Sequence, residues 1–221
     1  MINLVNFLLL IESISDYSKN DIDVGKTPFD VYRLCSCIRE TFCLSYALRK
    51  HNNLFLYIEK NYILIKFNGK ELKYLGPDER SETLLLMKAL NKIRNVNSYN
   101  INYWRKSTPG IFIRKFTDTN SFMSYYQKIA NHVGFIVIDS LDFQKANFFE
   151  INQEPIEIMD NDFFIIPTYT LQERTSHSIK LFKELKNTKL ISLSKIKNVE
   201  DKILYINFRK DQQNTHNIKV K

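Results

Sequence analysis

The chain predicts an α/β fold, a mostly parallel sheet with helices on both faces, and three observations carry that expectation. From Ile111 onward, short apolar runs alternate with amphipathic stretches of helical spacing, the order that builds parallel sheets covered on both sides. Leu4 to Ile11 is a continuous apolar run, as expected of a buried strand, and is too short to span a bilayer. It also lacks a basic flank and a small-residue cleavage site. Finally, 221 residues with 44% hydrophobic content suffice for one sizeable core. A single domain over residues 1–208 is expected, with residues 209–221, among them Gln212, Gln213, Asn214 and Asn217, as a polar, frayed tail.

The elements follow in order. After the first strand, Ser13 to Lys26 is polar. Thr27-Pro28-Phe29-Asp30 then places Thr as a cap and Pro at the first helical position. The helix continues with Val31, Leu34, Cys35, Ile38, Phe42, Ser45 and Leu48 on one face, leaving Arg33, Arg39, Glu40 and Arg49 mostly on the other. Leu54 to Glu59 and Ile63 to Phe67 read as strands, and Asn68-Gly69 predicts a type I′ turn into a strand over Lys70 to Tyr74, so that about 54–74 forms a hairpin insertion. Gly76-Pro77-Asp78 stops that strand and opens a helix over Glu79 to Arg94. A loop runs to Ser107-Thr108-Pro109-Gly110. Strands at Ile111 to Phe116, Phe135 to Ile138, Phe163 to Ile166 and Leu190 to Leu193 then alternate with helices near Ser121 to Asn131 and Thr175 to Leu185, before a last element over Ile203 to Phe208.

Lys and Arg number 32 against 24 Asp and Glu, a formal charge of +8, which makes a polyanion such as nucleic acid the natural partner to consider. Cations and a lone tryptophan are the pieces an RNA contact needs: Arg33, Arg39, Arg49 and Lys50, Trp104-Arg105-Lys106, and Arg114-Lys115. Strand alternation puts Arg114 and Lys115 on opposite faces. The plainer alternative is a solvated charge for each cation and a half-buried packing role for Trp104. No G-x-G-x-x-G or G-x-x-x-x-G-K-S/T pattern occurs, which excludes the glycine-loop nucleotide sites. Cys35, Cys37 and Cys43 are an odd set within nine residues, so they make no complete disulfide framework, and a reducing cytoplasm is expected. Cys35 and Cys37 point to different sides of a helix, and His51, His132, His177 and His216 lack metal spacing, so no metal is expected.

Four stretches, in order along the chain, resemble one family. They are Leu34-Cys35-Ser36-Cys37-Ile38 running on to Leu48-Arg49-Lys50; Gly69-Lys70-Glu71-Leu72 with Pro77-Asp78-Glu79-Arg80; Ser107-Thr108-Pro109-Gly110-Ile111-Phe112-Ile113-Arg114-Lys115; and Leu190-Ile191-Ser192-Leu193-Ser194. On these the chain is identified as similar to the archaeal tRNA pseudouridine-54 N1-methyltransferases of the SPOUT superfamily. The resemblance implies a C-terminal trefoil knot, S-adenosylmethionine as cofactor, a homodimer and methylation of N1 of a T-loop pseudouridine in tRNA. It implies cofactor contacts at Ile136, Pro167, Leu190, Ser192, Leu193, Ser194 and Ile203. It also directs attention to Asp78, Glu79 and Arg80, since methyl transfer to a ring nitrogen needs its proton removed and the anion stabilised. From the pattern alone, Asp78 reads first as a helix cap and Arg80 as a surface charge.

The chain departs from the family where Phe164 to Leu171 replaces a Gly-Asp-His-Ile-Gly type loop, at Lys195 where the family has proline, and at Asp30-Val31-Tyr32-Arg33. Two readings therefore stand at this point. One is an enzyme; the other is a protein of this fold that has lost its cofactor site and serves as a non-catalytic RNA-binding or assembly factor.

Overall fold

The computed structural model describes residues 4–94, 102–130, 132–138, 149–150, 157–168, 177–193 and 195–219. Its elements are β1 (Asn6–Ile11), α1 (Lys19–Asp23), α2 (Phe29–Phe42), β2 (Asn53–Ile58), β3 (Ile63–Asn68), α3 (Glu79–Arg94), β4 (Arg105–Thr108), β5 (Ile111–Lys115), α4 (Thr119–Ile129), β6 (Gly134–Ile138), β7 (Phe149–Glu150), β8 (Phe163–Pro167), α5 (His177–Lys183), β9 (Thr188–Ser192) and α6 (Val199–Lys219). The strands form one sheet in the order β4-β5-β3-β2-β1-β8-β6-β9-β7. From β2 to β7 neighbouring strands are parallel; β3, β5 and β4 extend the sheet antiparallel.

Both faces of the sheet are covered, which explains why its central strands are apolar throughout. Phe7, Leu9 and Ile11 of β1 face a core shared with Leu34 and Ile38 of α2, Leu86 and Ala89 of α3, and Ile203 and Ile206 of α6. Leu8 and Leu10 face the opposite core with Phe122 and Tyr126 of α4 and Ile179 and Phe182 of α5. There Tyr57 stacks on Phe122 at 3.7 Å between ring centroids.

Several expectations change, and the first concerns α2, which stops at Phe42 and leaves Ser45 and Leu48 beyond its end. Lys70 to Tyr74 is not a strand. The antiparallel pair is β2 with β3, joined through residues 59–62, so the hairpin spans 53–68. Gly69 serves close approach rather than a type I′ turn: a Cβ there would stand 2.6 Å from the carbonyl oxygens of both Arg49 and Asn52. Pro28, not Thr27, occupies the N-cap of α2, and no side chain caps that end. The frayed tail is helical, because α6 continues to Lys219. Long-range bonds hold it: Lys210 donates to the carbonyl of Ile158 at 2.7 Å, Asn207 bonds Glu40 and Asn52, and Arg49 holds Asp211 through two bonds of 2.9 and 2.7 Å. The structure also adds α1, closed by a capping box between Ser18 and Asp21, and the short strands β4 and β7.

Candidate active site

Because β1, β8, β6, β9 and β7 run the same way, their C-terminal ends share one rim of the sheet, the place where open α/β sheets bind ligands. Pro167 lies opposite Leu10 on that rim, and Ser192 lies opposite Ile138 on one side and Glu150 on the other. Pro167 has no N–H to give, so the ladder resumes with Thr168, whose N–H donates to the carbonyl of Leu10 at 3.0 Å. Ile136 and Leu190 pair with each other two residues back from the rim. Ile136 is fully buried toward α4 and α5, and Leu190 packs half-buried on the same side. Leu193 is buried on the opposite face, where Ile203 of α6 is fully enclosed among Val199 and Ile206. Ser194 and residues 169–171 lie outside the described residues, as does the expected helix start at Thr175.

Ser192 is the informative member of this set. Its side chain is buried and its hydroxyl has no hydrogen-bond partner among the described residues. Burying a hydroxyl unpaired costs about 1–3 kcal/mol, so a rim position suits one that a ligand completes.

The carboxylates and arginine singled out by sequence are elsewhere. Asp78 accepts the N–H of Ser81 at 2.8 Å, the bond of an N-cap, and Arg80 pairs with Asp23 of α1. Glu79 uses its carbonyl to accept from Thr83 at 2.6 Å. One turn on, Glu82 is fully buried, neither carboxyl oxygen has a hydrogen-bond partner among the described residues, and the Arg39 guanidinium stands 3.5 Å away. Burial pushes this carboxyl up to about 8, although Arg39 pulls the other way. Arg39 lies near the end of α2, at the level where β2 begins, since Asn52 just before β2 donates to the carbonyl of Thr41. By contrast, Leu90 and Ile93 of α3 line a cavity with Ser13, Ile14 and Ile58, beyond the C-terminal ends of β1 and β2. At ~1.5 Å per residue the head of α3 is thus ~20 Å from the rim level. Within one chain the structure does not bring Asp78, Glu79 and Arg80 to Pro167 and Ser192.

The expected RNA-contact residues divide into two groups. Arg33 bonds Asn198 at 2.8 Å and Glu200 at 3.0 Å, Arg39 serves Glu82 and Ser36, Arg49 clamps Asp211, and Lys50 donates to the carbonyl of Leu72 at 3.1 Å. These four hold helices and loops in place. Trp104, just before β4, and Arg114 of β5 instead gather on the α4 face of the sheet, whereas Arg105, opposite Ile113, lies on the α3 face near Ile93. Trp104 is half-buried, edge-on to Phe112 and Tyr125, and the Arg114 guanidinium lies 4.4 Å from the Tyr125 ring centroid. Lys106 adjoins this group across Phe112, as does Lys66, a residue not singled out from the sequence; its signal is a lysine interrupting an apolar strand. Cys35 and Cys37 are buried, and burial pushes the Cys35 thiol up to about 12. No group of three His, Cys, Asp or Glu side chains able to hold a metal ion occurs among the described residues. Among them, too, no helix is long and apolar enough to cross a membrane.

A family model described as "Putative SAM-dependent RNA methyltransferase" matches residues 12–206. The chain belongs to that family of RNA methyltransferases. Among curated relatives, the tRNA (pseudouridine(54)-N(1))-methyltransferase of Methanocaldococcus jannaschii is 30% identical over 158 residues, covering 67% of this chain and 70% of the relative. The enzymes of the same name from Methanocorpusculum labreanum and Haloferax volcanii are each 36% identical, over 47% and 45% of this chain and about half of their own lengths, 52% and 48%. Archaeoglobus fulgidus Nep1, solved bound to S-adenosylhomocysteine, superposes with a TM-score of 0.54 at 13% identity, over 96% of this chain and 99% of its own. That likeness bears out the mostly parallel, helix-covered α/β architecture expected from the resemblance.

For this methyltransferase the rim passes a test of fit. A buried hydroxyl without a partner among the described residues stands at the end of β9, flanked in register by β6 and β7, and the backbone of Thr168 continues the adjoining strand end. Ser192 and the ends of β6 and β8 are the positions that would hold S-adenosylmethionine, which when bound supplies an electrophilic methyl group on sulfur.

Proposed function

We propose that this chain methylates N1 of pseudouridine at position 54 of tRNA, using S-adenosylmethionine held at the rim formed by β8, β6 and β9. The buried hydroxyl of Ser192, without a partner among the described residues, carries the reading, because a ligand at the rim would complete it. The curated relatives named for this reaction support the substrate. The rival reading, a fold whose cofactor site has decayed, is disfavoured by a family match that runs through Pro167 and Ser192 to residue 206.

The finer proposals follow from the same geometry. A C-terminal trefoil knot, as the family resemblance implies, is part of the proposal. A homodimer is supported by exposed apolar side chains on two adjoining helices, Phe29 and Tyr32 of α2 with Leu204 and Phe208 of α6. In such a dimer, a catalytic part for Asp78, Glu79 and Arg80 requires the α3 head of one copy to face the rim of the other, and light scattering that gives a monomer mass would remove it. Three free thiols, Cys35 and Cys37 buried and Cys43 half-buried, suit work in the cytoplasm.

The test is calorimetric titration of the full chain with S-adenosylmethionine and S-adenosylhomocysteine, followed by methylation assays on pseudouridine-containing tRNA. Micromolar binding that Ser192→Phe abolishes without unfolding is expected. No binding by folded wild-type protein up to millimolar ligand would overturn the proposal.

A further inference from the structure

One row of side chains crosses four strands on the face of the sheet that carries α4. Phe55 of β2 stands opposite Lys66 of β3, Lys66 opposite Phe112 of β5, and Phe112 opposite Lys106 of β4. Directly opposed residues share a face, so aromatic ring and ammonium alternate along the row. The Lys66 ammonium is 5.5 Å from the Phe55 centroid, and that of Lys106 is 5.9 Å from the Phe112 centroid. Two residues along β5, Arg114 lies between Tyr125 at 4.4 Å and Phe116 at 4.9 Å, and Trp104 closes the group edge-on to Phe112 and Tyr125.

Two features separate this ladder from ordinary surface charge. The row opens outward: Phe55 is buried, Lys66 and Phe112 are half-buried, and Lys106 is exposed. In addition, β3, β4, β5 and α4 contain no Asp or Glu, and none of Lys66, Lys106 and Arg114 has a carboxylate within ion-pair distance among the described residues. Arg33, Arg39, Arg49 and Arg80, by contrast, are all paired within the chain.

We propose that this aromatic–cation ladder is a docking platform for a single-stranded or splayed stretch of RNA. Phosphates would sit at Lys66, Lys106 and Arg114, and bases would stack against Phe112, Trp104 and Tyr125. The proposal rests on the RNA-modifying reading above and adds a second contact area to it. Cations without carboxylate partners complement a phosphate chain, and rings in a row offer base-sized apolar surface that only unstacked bases use fully. Strand spacing of ~4.8 Å puts β5 ~20 Å from β8, so the platform grips RNA flanking the modified nucleotide, not that nucleotide.

Trp104 is the only tryptophan, so its fluorescence reports on the platform. The full chain is titrated with a short oligouridylate at several salt concentrations, and S-adenosylmethionine binding is measured in parallel by calorimetry. Quenching of Trp104 is expected. Removing three phosphate contacts with Lys66→Gln, Lys106→Gln and Arg114→Gln together should lower the slope of log affinity against log salt by about 2, a weakening of about 100-fold at 0.1 M salt. Lys106→Glu, at an exposed position that cannot endanger the fold, should weaken binding about 5-fold or more. Cofactor binding should be unchanged in both variants. Unaltered RNA affinity and slope in the folded variants would overturn the proposal, as would equal quenching by poly-glutamate, which would make this a site for any acidic chain. Wild-type protein that binds cofactor but no oligouridylate removes the platform and leaves the rim; protein that binds oligouridylate through these residues but no cofactor removes the rim and leaves the platform.

Discussion

Glu82 sets up a stability that falls as pH rises. Its side chain is fully buried, its carboxyl oxygens lack hydrogen bonds among the described residues, and burial lifts it from an ordinary value of 4.5 to about 8 in the folded chain. In the unfolded chain the same group ionises near 4.5. Folding thus retains a proton that unfolding releases, so the stability is fully present below pH 4.5 and is lost as pH climbs through 8. At 1.36 kcal/mol per pH unit, the penalty against an uncharged side chain is under ~1 kcal/mol at pH 5, ~3 kcal/mol at pH 7 and ~5 kcal/mol above pH 8. Glu82→Gln keeps the shape and removes the titration, and Arg39 retains Glu40 and Ser36 as neighbours. Urea unfolding at pH 5, 7 and 8.5 should show the variant gaining on wild type across the series. A stability difference that stays flat with pH would refute the assignment.

Two further perturbations test the loops around α3. Gly110→Ala places a Cβ 2.4 Å from the Leu72 backbone at a φ of +82° that side chains resist, and should cost ~2 kcal/mol or more in urea unfolding. Asp78→Ala removes the cap on Ser81 and should cost ~1 kcal/mol; if it instead abolishes methylation of tRNA at unchanged stability, Asp78 acts in the reaction beyond holding the helix.

What was legible in the sequence was what local chemistry decides. The span of α3 follows from Gly76-Pro77-Asp78 and its apolar spacing, and the β–α alternation after Ile111 is borne out strand by strand. The Ser18-to-Asp21 capping box of α1 is also written in the polar stretch, but a helix of only five residues leaves little apolar spacing to reveal it. What was not legible depends on partners far along the chain. Asn68-Gly69 looks like a hairpin turn until the carbonyls of Arg49 and Asn52 occupy the space beside Gly69. The polar residues after Phe208 look frayed until Asn207, Lys210 and Asp211 find partners between about 50 and 170 residues away. The same distance hid the division of the basic residues. Nothing near Arg33 or Arg49 in sequence says that α6 will neutralise them, whereas the ladder needed only the strand register to become visible.

The strand order has a consequence for how the protein is made. β1 is flanked by β2 on one side and by β8 on the other, and Asn6 meets Phe163 only after more than 150 intervening residues have been synthesised. Until then a nascent chain carries Asn6–Ile11 with one row of backbone donors and acceptors unmet, on a stretch that is buried throughout in the finished fold. An unpaired, flat, apolar strand edge is what templates aggregation, and contacts this distant in sequence form slowly. The emerging polypeptide is therefore at its most vulnerable between completion of β2 and release of β8, the interval in which a ribosome-associated chaperone would have most to protect.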